Sequence, residues 1–200
     1  MAITPERVKD LRQRTGAGIM DCKRALEEAE GDLERAIECL REQGILSAAR
    51  REQRPTGAGV VESYVHAGGK IGVLVEVNCE TDFVARTPEF QGFAHDVAMQ
   101  IAAQHPRYLS REDVPAEVRE KELEIYRAQS LREGKPEKVL ERIAAGKLEK
   151  FYQLFCLLEQ PFIRDPDKTI EDLRKEVAAQ TGENIRIRRF ARFQVGEAQD

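Results

Sequence analysis

Apolar residues at every second position, Ile71, Val73, Val75 and Val77, predict a half-buried strand over 71–77. Further on the period changes. Phe90, Phe93, Ala94, Val97, Ala98 and Ile101 fall at the i, i+3, i+4, i+7 spacing of an amphipathic helix. Thr87-Pro88-Glu89 opens that helix as N-cap, first-turn proline and first-turn acid. Residues 60–66 read as a partner strand, and the turn His66-Ala67-Gly68-Gly69-Lys70 makes the pair an antiparallel hairpin. Gly68-Gly69-Lys70 lacks the spacing and the following helix of a phosphate loop, so no nucleotide site is expected on this chain.

Before the hairpin, residues 1–46 read as three short helices. Thr4-Pro5-Glu6 starts the first, with Val8 and Leu11 on its apolar face. Thr15-Gly16-Ala17-Gly18 turns the chain into a helix carrying Met20, Cys22, Ala25, Leu26 and Ala29, which Gly31-Asp32 stops. Leu33, Ala36, Ile37 and Leu40 mark the third. The expectation is a bundle of ubiquitin-associated type over 1–53, a linker at 54–59 built on Arg54-Pro55-Thr56-Gly57, and a second domain over 60–200.

Ser110 to Asp113 has capping-box spacing, with Asp in the place of Glu. The charged run 115–132, the break Glu133-Gly134-Lys135-Pro136 and the apolar points Val139, Leu140, Ile143, Leu148, Phe151, Leu154 and Phe155 predict a helical hairpin at about 115–156. Its second arm has the better apolar face, and Gly146 is expected to break it. Thr169-Ile170-Glu171-Asp172 caps one more helix, and a last strand follows over 185–195. Three antiparallel strands with helices give an α+β fold.

Charge and cysteine usage narrow the classes. The net charge is −4, with 34% of residues charged, which does not suit a general nucleic-acid binder. No apolar run reaches the length of a membrane span, and no leader pattern opens the sequence. Cys22, Cys39, Cys79 and Cys156 are scattered, without metal-ligand spacing, and read as reduced thiols of a cytoplasmic protein. No metal or cofactor is expected.

Between the best strand and the best helix lies Asn78-Cys79-Glu80-Thr81-Asp82-Phe83-Val84-Ala85-Arg86. From pattern alone, a Phe at such a junction belongs in the core and Asp82 is a helix cap. The stretch Cys79 to Arg86 resembles the signature of translation elongation factor Ts. Leu11-Arg12 with Thr15 to Leu26, Leu157 to Phe162, and Gly182-Glu183-Asn184-Ile185 with Arg188-Arg189-Phe190 are similar to other parts of that family. The resemblance implies a guanine nucleotide exchange factor that binds GDP-bound and nucleotide-free elongation factor Tu and performs no bond chemistry.

It implies that Thr81, Asp82, Phe83 and Val84 disturb the partner's magnesium and nucleotide, with Phe83 as a wedge. It also implies that Leu11, Arg12, Gly16, Gly18, Ile19, Met20, Asp21 and Lys23 grip the same GTPase domain. Read by themselves, the glycines, Ile19 and Met20 are turn and core, and Asp21 and Lys23 suit a solvated face equally well. Longer members of the family carry two related half-cores. One half-core here suggests a homodimer, with Ile185, Ile187, Phe190 and Phe193 as its sheet surface.

Two other readings remain open at this stage. Cys79 could serve as a nucleophile with His95 as base. Arg186, Arg188, Arg189 and Arg192, interleaved with Phe190 and Phe193, could bind RNA. The alternation of the last strand favours instead a sheet strand whose arginines reach solvent.

Overall fold

The computed structural model describes residues 4–15, 19–40 and 52–197. The first helices are α1 (Pro5–Thr15), α2 (Ile19–Glu28) and α3 (33–40). Leu11, Cys22, Ala25, Leu26, Ala29 and Ala36 form their shared core, with Val8, Ile37, Cys39 and Leu40 packed against it. Asp32 caps α3 by accepting from the Arg35 N–H at 3.0 Å.

The main core is built on a three-stranded antiparallel sheet of β1 (Ala58–Val65), β2 (Ile71–Cys79) and β5 (Arg186–Gln194), in the order β1-β2-β5. The expected strand starts early, so Ala58 and Gly59 belong to the sheet. α5 (Pro88–Gln104), capped by Thr87, lies against β1 and β2. Its Phe90, Phe93, Ala94, Val97, Ala98 and Ile101 meet Val73, Val75 and Val77 in one buried cluster. α8 (Ile170–Thr181), closed by the capping box Thr169–Asp172, adds Ile170, Val177 and Ala178.

α6 (Ala116–Arg132) and α7 (Glu137–Phe155) form the helical hairpin. Only Ser130 of α6 is buried, whereas α7 buries Ala144, Leu148, Phe151 and Tyr152. The expected break at Gly146 does not occur, because α7 runs through it. One glycine lowers helix propensity by about 1 kcal/mol, and tertiary packing overrides that. The Ser110–Asp113 capping box forms, but it closes a single tight turn at Arg111–Asp113. A two-stranded ribbon, β3 (Pro161–Phe162) with β4 (Asp165–Thr169), was not expected. Its strands are too short, and β4 too polar, to leave a period.

The last strand corrects the simple alternation. Val77 pairs with Ile187 and Glu76 with Arg189, so Arg188 is an extra residue in a bulge. A bulge reverses which side chains face inward. Ile187 is therefore buried before it, and Phe190 packs on the core after it, while Ala191 and Phe193 face out.

Candidate functional site

β2 ends at Cys79, whose side chain keeps the inward phase of the strand and is fully buried. Burial, followed by the negative charge of Glu183, pushes its thiol pKa up. Its Sγ donates to the Thr81 carbonyl at 3.1 Å. The imidazole of His95 lies instead 3.0 Å from Glu62 and edge-on to Tyr64. A thiol in that setting is a packing group, not a nucleophile.

The chain then makes one helical turn, α4 (Asp82–Ala85). Its N-cap is Thr81, not Asp82: extended at φ −131° and ψ 151°, its hydroxyl accepts from the Val84 N–H. Asp82 is the exposed first residue of the turn. Val84 and Ala85 point into the core, at 7% and 5% exposure. Phe83 is consequently turned outward and is 83% exposed, the most exposed of the large apolar residues among those described. The expectation of a buried ring is overturned, because one short turn on the core can bury one side only. Thr87 joins α4 to α5, donating to the Val84 carbonyl and accepting from the Phe90 N–H.

A brace that was not anticipated holds this turn. Oε2 of Glu183 accepts from the backbone N–H groups of Glu80 and Thr81, at 3.0 and 3.1 Å. Its Oε1 accepts from the Thr81 hydroxyl at 2.7 Å. In return, the Asn184 N–H donates to Oε1 of Glu80 at 2.7 Å. The buried Asn184 amide donates to the carbonyls of Glu52 and Arg54. Glu183 and Asn184 lie in the Gly182 to Ile185 stretch that resembles the family, and no local pattern singled out their contacts with Glu80 and Thr81, about a hundred residues away.

The other candidate residues separate clearly. Leu11 is fully buried in the bundle core and has no surface to offer a partner. Ile19 and Met20 are exposed, at 54% and 70%, and Met20 does not join the bundle core. Arg12, Asp21 and Lys23 are also exposed, and Asp21 pairs with Arg24. Gly16 and Gly18 lie outside the described residues. Ile185 and Ile187 are buried in the chain's own core and Phe190 packs against it, so of the four only Phe193 faces outward. Phe193 joins Val61, Val65, Leu74 and Val195 among the exposed apolar residues, and the register places these on the outer face of the sheet and its margin.

Three of the four arginines of β5 are ion-paired within the chain. Arg188 and Arg189 both bind the Glu76 carboxylate, and the Arg189 hydrogen bond, outweighing burial, lowers its pKa. Arg192 is folded inward, its side chain 7% exposed and paired with Glu197. Among the described residues no helix is long and apolar enough to cross a membrane, and no group of three or more His, Cys, Asp or Glu side chains is placed to hold a metal ion.

Comparison with known proteins shows the family. The family model described as "Elongation factor TS" matches residues 20–197. Elongation factor Ts of Carboxydothermus hydrogenoformans is 63% identical over 195 residues, covering 98% of this chain and 90% of that protein. The protein of the same name from Caldanaerobacter subterraneus subsp. tengcongensis is 62% identical, with 98% of each chain covered. That from Moorella thermoacetica is 61% identical over 190 residues. On a match of that extent, the chain belongs to the elongation factor Ts family, the guanine nucleotide exchange factors of elongation factor Tu, which make and break no bonds.

Proposed function

We propose that the Thr81–Val84 turn is the part of this exchange factor that loosens the nucleotide, and that Phe83 is its working residue. The observation that carries the reading is the 83% exposure of Phe83 on a turn whose next two residues are buried. Water holds the ring at a cost that a partner's apolar gap relieves by about 1.5–3 kcal/mol. If that gap opens only when the nucleotide leaves, the energy counts toward release. Asp82, beside the ring, brings a negative charge toward the partner's magnesium shell without binding the ion. Val84 anchors the turn from inside. GDP-bound and nucleotide-free elongation factor Tu are both ligands, the second bound more tightly.

Ile19 and Met20, flanked by Arg12, Asp21 and Lys23, form the gripping surface of the N-terminal bundle. We read residues 1–53 as this docking domain, 54–59 as its linker and 60–200 as the core, at work in the cytoplasm. Two chains pair through the outer sheet face around Phe193 as a C2 homodimer.

The test is release of fluorescent GDP from elongation factor Tu, with the wild-type factor and with Phe83→Ala. The variant should fold normally and lose at least about tenfold in stimulated release, the worth of ~1.4 kcal/mol. A folded variant that stimulates as well as wild type would remove Phe83 from the mechanism.

A further inference from the structure

We propose that Glu183 is a positioning residue for nucleotide exchange, holding the Phe83 turn in its working shape before any partner arrives. The inference rests on the reading of Phe83 given above. β2 and β5 pair as far as Asn78 and Arg186. Beyond that point the two chains diverge, β2 toward the turn and β5 back toward α8. Backbone bonds can no longer hold them together, and the Glu183 carboxylate takes over. It spans a sequence distance of about a hundred residues and receives two N–H groups and one hydroxyl from the two residues before Asp82.

The hydroxyl bond gives the brace a consequence at the ring. By donating its proton to Glu183 at 2.7 Å, the Thr81 hydroxyl turns a lone pair toward the Val84 N–H, which it accepts at 3.4 Å. That second bond is the cap that starts α4, and α4 is what faces Phe83 outward. Glu183 thus sets the direction of the cap, and the cap sets the direction of the ring. A carboxylate suits the task because it only accepts, and three donors converge on it. The reciprocal bond from Asn184 to Glu80 keeps Glu183 in place. A preformed turn spares the complex the entropy of ordering it, so the energy of the Phe83 contact is available for release.

The test is a double-mutant cycle on GDP release from elongation factor Tu, using Glu183→Gln and Phe83→Ala separately and together. Glutamine keeps the shape but replaces one accepting oxygen with a donor. Glu183→Gln should slow stimulated release about tenfold when Phe83 is present, and less than about twofold when it is Ala. Thr81→Val should repeat this pattern and Thr81→Ser should restore release, which keeps the proposal open to refutation if Glu183→Gln fails to fold. Equal slowing in both backgrounds would mean that Glu183 acts only through general stability, and the proposal falls. No slowing in either background also overturns it. If Phe83→Ala alone releases GDP as fast as wild type, the reading of Phe83 fails first and takes this inference with it, an outcome the single variant identifies.

Discussion

Phe83 sets the residue scale, because its exposure separates a binding role from a folding role. A ring that is 83% exposed in the free protein contributes little to folding, and surface substitutions of that kind shift stability by within about 0.5 kcal/mol. Phe83→Ala should therefore leave the denaturation midpoint nearly unchanged while exchange falls, a separation that a core phenylalanine such as Phe90, fully buried, cannot give. Sequence pattern alone did not reach this result. It records that a residue is apolar, not which side of a four-residue turn it occupies, and Val84 and Ala85 took the inward positions first. The resemblance to a family supplied what the periodicity lacked. Glu183 was illegible for a different reason: its partners are Glu80 and Thr81, about a hundred residues away, and no local spacing encodes a contact that tertiary folding makes.

The elements divide into those set by local chemistry and those set by pairing. The capping box of α8 is local, and both of its reciprocal bonds form as the spacing Thr169 to Asp172 predicts. The Thr169 hydroxyl, then the Thr169 backbone N–H, hold the Asp172 carboxyl below its ordinary value of about 3.8. A carboxyl lowered by folding stabilises the protein above its unfolded pKa, and the contribution is lost as pH falls through the folded one. Asp172→Ala should thus cost ~0.5–1 kcal/mol at pH 7, a modest figure because the group is exposed and screened. The gap from wild type should close in urea titrations carried out well below the ordinary carboxyl value. β1 and β5 show the other case. Gly59 has φ 147°, and a Cβ there would lie 2.2 Å from the Val77 carbonyl oxygen and 2.7 Å from the Asn78 Cα. Gly59→Ala should lose ~2–4 kcal/mol in denaturant titrations. Gly57→Ala, with nothing within 4 Å of its Cβ, should lose almost none. The bulge at Arg188 is likewise a property of the pair: it turns Phe190 onto the core beside the buried Ile185 and Ile187, so these three do not form the sheet surface expected of them.

At the scale of the whole molecule, exchange is a matter of linkage. A factor that shifts its partner from almost wholly nucleotide-bound to almost wholly free needs about 5.5 kcal/mol of differential contact. One ring supplies about 1.5–3 kcal/mol of that at most, so other surfaces share the work. On the reading proposed above, the exposed Ile19 and Met20 belong to one of them, and the outer sheet face is left for a different purpose. Val61, Val65, Leu74, Phe193 and Val195 are each at least 48% exposed, and all lie on or beside a face that no helix of the described chain covers. A row of apolar groups left to water is a driving force for association. Pairing one copy of the face with another by a two-fold axis buries both without needing a second kind of surface. Sedimentation equilibrium should accordingly give twice the 22.7 kDa of one chain. Phe193→Glu should bring the mass down to that of the monomer, because two carboxylates would be buried against apolar neighbours across the axis. The inner face, with Val73, Val75 and Val77 already buried, should keep the variant folded. A wild-type mass that stays at one chain across concentration would refute the pairing. A monomeric variant that still stimulates GDP release would show that pairing serves stability and that each Phe83 turn works by itself.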